Sequence, residues 1–368
     1  MPKAAAPVTR TWSATLGVVV VLSSACAAPE VTTPTKAARR GEDAAGGGDD
    51  ASTGTGSDVT FSIPDGRPPS DALVGTGSLC PGPATTQPPS CAALGVTVDP
   101  YYAGLYTCFD LGPAPGVPPQ KYGGLTLTPG ACSSTLLIGG EANYPPGKLY
   151  ALTVTRDGMG HITGFAAPGR VFADAAYNDG GVTYGPGGVL FLTRWPNNQL
   201  QQTKPGSTGA DKLTDLAALD VVRSSAALAF VPPGLPGAGA LKLVSWGGGQ
   251  WYTLRYQADA TGTFDVSAAM PGGTLPGGPE GFVYVAAGSQ KFPVHSLLVS
   301  EWTANKIATY EVDEHGDPKL GTRRDFITGL MGAEGAYRDP ATGDFFFSTW
   351  GQAMDRVIVV RGFERIVE

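Results

Sequence analysis

Two dipeptides carry the sequence's best case for chemistry. Glu280-Gly281 and Glu334-Gly335 each open a short apolar run, and they lie 54 residues apart at equivalent points of what proves to be a repeating pattern. Asp179 lies next to the matching point of an earlier copy, and Glu141 with Asn143 follows a strand of the first copy. Carboxylate and amide oxygens gathered from such positions would ligate a hard cation such as Ca2+, or activate water beside one. The alternative is that each Glu bonds backbone across a channel and holds strands together. Other chemistries lack their residues. No GxSxG elbow, phosphate-binding loop or dinucleotide fingerprint is present. His161, His295 and His315 are isolated and no CxxC pair exists, which argues against zinc. Asp313–Asp317 lacks the alternating acids and distal Glu of a calcium hand and reads as a hairpin turn.

The elements that would position these residues are short strands. Gly (53) and Pro (32) make up about 23% of the 368 residues, against a usual ~12%, and charged residues only 15%, a mix suited to many turns and few helices. A net charge of −7 gives a nucleic-acid partner no electrostatic support. From residue 122 a unit recurs: an apolar strand, a Gly/Pro-rich turn, a second apolar strand, then a polar-to-apolar third strand and a more polar edge. The first two strands are Gly123–Leu127 and Thr135–Gly140, Gly180–Tyr184 and Val189–Trp195, Ala226–Val231 and Leu241–Trp246, Glu280–Val285 and Leu297–Trp302, and Gly335–Arg338 and Phe345–Trp350. The second strands end at 140, 195, 246, 302 and 350, and four of the five end in Trp. Four strands in about 50 residues is the size of a β-propeller blade, and stacking blades around an axis covers both faces of each sheet. After residue 120 no stretch keeps a 3.6-residue apolar period for three turns; the nearest, Asp211–Val222, falls where a fourth strand or connector is due.

The reading is therefore all-β: a propeller of five four-stranded blades over residues 121–368, the last blade completed by Leu105–Leu111. A sixth blade is the alternative if residues 56–120 form one. Residues 76–120 are a Cys/Pro-rich preface that closes the propeller. Residues 27–75, dominated by Thr, Ala, Gly, Ser and Asp, form a disordered linker, with Val59–Ile63 as a stray strand at most. Residues 1–26 form a secretory signal: Lys3 and Arg10, an apolar run Ala14–Leu22 too short to span a bilayer, then Ser23-Ser24-Ala25 before Cys26. This segment also resembles a lipoprotein signal, with Cys26 as the lipidated residue, although Ser23 stands where an aliphatic residue is usual. Ala27 next to it resembles lipoproteins sent to an outer membrane. The expected location is the outer membrane or cell surface, or the periplasm or medium if the chain is simply cleaved. Four further cysteines fit an oxidising compartment. Pairing Cys80 with Cys91 and Cys108 with Cys132 closes the shortest loops. Trp195, Trp246, Trp302 and Trp350 are assigned to packing between blades, whereas Trp251 and Arg194 are the less regular residues suited to binding. Asn198 and Asn305 are expected to be turn residues bonding their own backbone.

The repeat resembles NHL-type and regucalcin/gluconolactonase-type propellers. The resemblance is carried by Gly180-Gly181-Val182 with Trp195-Pro196-Asn197-Asn198-Gln199-Leu200, and by Glu334-Gly335 with Asp339-Pro340-Ala341-Thr342-Gly343-Asp344 and Ser348-Thr349-Trp350; it spans about two thirds of the chain. The chain is more similar still to exported bacterial propellers of unknown function, some with a PEP-CTERM sorting tail. Its last residues, Phe363–Glu368, show no such tail, which makes an N-terminal lipid a substitute anchor. In the regucalcin-like family, carboxylates and Asn side chains at the channel mouth hold a divalent cation that activates water for lactone hydrolysis. The resemblance implies that role for Glu280, Glu334, Asp179, Glu141 and Asn143. Two functions follow as expectations. One is a monomeric, membrane-tethered binding or scaffold propeller taking a small molecule, glycan or protein at its mouth. The other is a metal-dependent hydrolase.

Overall fold

Alternation explains the blades. In Phe345-Phe346-Phe347, Phe345 and Phe347 pack with Leu298 and Ile307 on one side and Phe346 with Leu136 and Ile138 on the other, so a strand buried on both faces is apolar at every position. Leu136, Leu137 and Ile138 divide in the same way between blades 5 and 2. The computed structural model describes residues 80–352 and 354–365, and the expectations for the signal, Cys26, the linker and Val59–Ile63 lie outside them. Within them are five sheets. Blade 1 runs Leu125–Leu127, Thr135–Gly140 and Lys148–Arg156, with an outer edge split between Ile162–Phe165 and Arg170–Asp174. Blade 2 runs Asn178–Tyr184, Leu190–Arg194, Gln199–Thr203 and Lys212–Asp215. Blade 3 runs Ser225–Phe230, Leu241–Ser245, Gln250–Ala258 and Phe264–Thr274. Blade 4 runs Pro279–Val285, Ser296–Glu301, Lys306–Glu311 and Arg324–Thr328. Blade 5 runs Ala333–Arg338, Phe345–Thr349 and Val357–Arg361.

Five buried apolar clusters hold the sheets together, one at each junction between blades. The first strands pack on one another around the axis. The fourth strand of blade 5 is Thr107–Asp110, which pairs with Val357–Arg361 and closes the ring with N-terminal chain, as the sequence predicts. Thr97–Val98 adds a fifth strand to blade 4. Residues 80–120 thus add strands to two blades and form no blade of their own, and the described residues make five blades. A buried ion pair, Arg156 to Asp339 at 2.6 Å, and a part-buried hydrogen bond between His161 Nδ1 and Asp344 at 2.7 Å also bridge the closing junction.

The cysteine pairing differs from expectation. Cys80 bonds Cys132, and Cys91 bonds Cys108. Sequence distance is a poor guide because strand Thr107–Asp110 is placed by blade 5, and the Cys91–Leu94 turn is held beside it by the Ser90–Phe109 bridge. Cys80 instead runs along blade 1, where Gly82 and Ala84 donate backbone bonds to Asp157 and Arg156, close to the Cys132 turn. The asparagines differ too. Asn198 and Asn305 hold left-handed backbone, but their side chains reach forward: Asn198 accepts from Ser225 N and donates to Val221 O, and Asn305 accepts from Gly332 N, so each ties its turn to the next blade.

Proteolysis under non-reducing conditions should release one linked peptide pair containing Cys80 and Cys132 and another containing Cys91 and Cys108; a Cys80–Cys91 pair would overturn the assignment. Cys132→Ser opens a bridge between residues 52 apart in sequence and should lower unfolding free energy by about 2–4 kcal/mol in denaturant titration.

Candidate functional site

The site is produced by bulges. In blades 2 to 5 the register between the first and second strands slips near the start of the first: between Asn178 and Val182, Ser225 and Ala227, Pro279 and Gly281, and Ala333 and Ala336. A bulge kinks the strand and re-aims side chains. In blades 4 and 5 it points Glu280 and Glu334 to the axis. In blade 2 the slip spans one more residue, which brings Asp179 to the glutamates although Gly180 is the residue in register with them. Blade 3 has Ala226 at this level and blade 1 has Gly123, so the acids come from three blades of the five.

Small residues let the strands meet here. A Cβ on Gly180 would stand 1.9 Å from the Glu280 carbonyl oxygen, one on Gly281 2.1 Å from that of Glu334, and one on Gly335 2.6 Å from Gly124 Cα. This pinch divides the channel. On one side lies a cavity of about 270 Å3 of mixed lining, among Val182, Thr183, Leu228, Phe282, Tyr284 and Arg338. On the other lies a mouth of about 140 Å3 lined by Glu280, Glu334, Asn143 and the four residues Trp195, Trp246, Trp302 and Trp350.

Asp179, Glu280 and Glu334 are all buried and offer oxygens within 4.8 Å of one another. Asp179 Oδ2, Glu280 Oε2 and Glu334 Oε1 have no hydrogen-bond partner. Among the described residues no lysine or arginine forms an ion pair with any of the three. Burial pushes all three carboxyls toward their neutral forms: Asp179 up to about 8, and Glu280 and Glu334 well above the usual range, with the neighbouring acids raising both further. Asp179 adds to the rise at Glu334, so a proton on one of the clustered acids is favoured when no cation is near. Asn143, with its amide nitrogen facing the cluster, donates to Asp179 Oδ1 at 2.9 Å. Three desolvated acids without a cationic partner are costly unless protons or a metal ion neutralise them. Their orphaned oxygens fit a hard divalent ion.

The structure therefore brings together four of the five residues singled out in the sequence. Glu141 stays apart, paired with Lys121 at 2.9 Å. Asn178 was not anticipated: it is fully buried beside Asp179, donates to Gly140 O and Ala175 O, and leaves Oδ1 unpaired. Its place one residue before an acid at a strand start was the available signal. The tryptophans differ from expectation in placement. Each sits one residue past its second strand, at the rim over the carboxylates, although Trp302 still touches Trp246 and Trp350 of the flanking blades, with ring centroids 6.3 and 6.0 Å away. Trp251 is the tryptophan buried between blades, against Phe282 and bonded to Asp317. Arg194 is held by Ala176 O and Gln199, away from the cavity lining.

No protein-family model and no curated protein matches the sequence. Similar solved structures include a gluconolactonase from Xanthomonas campestris, 12% identical over 77% of this chain and 99% of that one, with a TM-score of 0.40. They also include an auxiliary nutrient-binding protein from Bacteroides thetaiotaomicron, 14% identical over 72% and 68% of the two chains, with a TM-score of 0.40. A PQQ-bound aldose sugar dehydrogenase from Streptomyces coelicolor is 14% identical over 68% and 83%, with a TM-score of 0.33. The structural neighbours are gluconolactonase-like and other propeller proteins, and the likeness is one of fold.

Proposed function

We infer that this protein is a binding propeller whose mouth is organised by a divalent cation, with Asp179, Glu280 and Glu334 as ligands and Asn143 beside them. One observation carries the reading: three buried carboxylates with orphaned oxygens and, among the described residues, no ion-pair partner. An all-oxygen donor set of this hardness favours calcium over zinc or copper. A bound ion would supply the charge that the protein withholds, and the tryptophan rim above would then receive the ligand. A metal-dependent hydrolase is the second reading. Asp179, held near 8, lies in the range useful for proton transfer at neutral pH. Binding is preferred because the rest of the lining is indole and one amide, with no further base or nucleophile. Two disulfides, together with the signal-like residues 1–26, support export, with Cys26 as the point of lipid attachment and residues 27–75 as the tether.

Isothermal titration of chelator-treated protein with calcium should show one saturable site. Glu280→Gln or Glu334→Gln should weaken it by at least the roughly 10–100-fold that even an outer-shell change costs. A protein that binds no divalent ion would sink the reading. Turnover of an aldonolactone by the calcium-loaded protein, abolished by the same substitutions, would replace the binder with the hydrolase.

The metal-free protein should also report its buried acids through pH. An unfolded Asp titrates near 3.9, whereas Asp179 in the folded protein titrates at about 8. Between these values the folded state holds the extra proton, so stability falls as pH rises, and the raised Glu280 and Glu334 act in the same direction. Thermal melts of chelated protein should therefore drop from about pH 5 to about pH 8. Asp179→Asn should flatten the drop, and calcium should raise the melting temperature most at the alkaline end. A midpoint that is constant or rises over this range would contradict the buried-acid arrangement.

A further inference from the structure

The mouth has a second property that a metal centre does not require. Four of the five second strands end beside a tryptophan, and all four indoles border the cavity above Glu280 and Glu334. The fifth rim position, in blade 1, is Glu141. The rings are fixed in place. Trp302 Nε1 donates to Trp350 O at 3.0 Å and Trp350 Nε1 to Ala142 O at 3.2 Å, each reaching the next blade. Successive indoles are turned 78° and 55° to one another, so they form walls around a space and do not stack as one layer.

Because two of the indole N–H groups are spent on the wall, the cavity meets aromatic carbon more than hydrogen-bond donors. Among the described residues no lysine or arginine lines it, and its floor carries the carboxyls of Glu280 and Glu334. A divalent ion at the floor would still leave one net negative charge among three carboxylates. At about 140 Å3 the space is well below the roughly 300–1,000 Å3 of sites for drug-sized ligands, which selects a small group. Aromatic walls with negative faces, an acidic floor and little room are the features that recognise an alkylated ammonium. A polyol would find few donors among the described residues of the lining.

We propose that the tryptophan rim of this channel binds a small quaternary or methylated ammonium compound, its cationic nitrogen enclosed by Trp195, Trp246, Trp302 and Trp350 above the carboxylate floor. The proposal rests on the reading of the mouth as a cation-attracting centre and adds the class of organic ligand.

Titration of tryptophan emission in the intact protein tests this, with choline and tetramethylammonium as probes, in calcium and again after chelation. Both probes should give a saturable change. The neutral isostere 3,3-dimethylbutan-1-ol should bind at least tenfold more weakly. Trp302→Leu should lose at least tenfold in choline affinity, and Trp302→Phe, which keeps a π face, should recover part of it. If neither variant folds, the comparison of choline with its neutral isostere in the native protein decides. No saturable change, or equal affinity for the neutral isostere, would overturn the proposal. Sedimentation with phosphatidylcholine vesicles separates the sources: free choline binding without sedimentation supports a soluble ammonium compound, and sedimentation without free choline binding overturns it. Calcium calorimetry on the same samples keeps the two readings apart. Calcium bound without choline removes the rim proposal alone, and choline bound without calcium removes the metal centre alone.

Discussion

The close approach of the inner strands at the axis is the constraint on which the rest depends. Gly180, Gly281 and Gly335 have no room for a Cβ, because the carbonyl of Glu280, the carbonyl of Glu334 and the Cα of Gly124 occupy that space. Strands so close cannot all keep flat register, and they slip into bulges at this level. The residue beside each small one is then turned into the narrowest part of the channel. Where that residue is acidic, the packing that closes the axis also crowds negative charge into a dry place.

This arrangement tolerates a stability cost at its centre because the blades are secured elsewhere. Each junction buries its own apolar cluster, and a strand such as Phe345–Thr349 contributes to two of them at once. At the closing junction the strand Thr107–Asp110 covers the edge of Val357–Arg361, and the Arg156–Asp339 and His161–Asp344 contacts tie the first blade to the last. Asn198 and Asn305 carry the same logic to the turns, each spending its side chain on the following blade. A rigid ring with a strained, polar centre is a common plan for a binding site, since function sits where local rules are broken.

The tryptophans show how position and burial separate. A tryptophan at the end of an apolar strand has the composition of a packing residue. One residue past the last ladder bond, it leaves the sheet and lies at the rim, half-buried, where it packs on its neighbours and still faces the mouth. Trp251, inside a third strand, takes the interior place instead. Whether an aromatic residue becomes wall or core is thus decided by a shift of one or two positions against the sheet register.

The sequence by itself determined the blade. The period of about 50 residues, the doubly apolar strands, the turn chemistry and the completing strand near residue 107 are local signals, and local hydrogen bonding and burial read them directly. It also marked Glu280 and Glu334 as equivalent, because repeats place equivalent residues at equivalent heights. What it left open depended on contacts between distant segments. Asp179 joins the glutamates only through the longer bulge of blade 2. The cysteines pair across 52 and 17 residues because two blades, not loop length, place them. Glu141 is withdrawn by Lys121, which a repeat pattern does not encode. The tertiary structure decided these points because each turns on a distance across the ring, and only closure of the ring sets that distance.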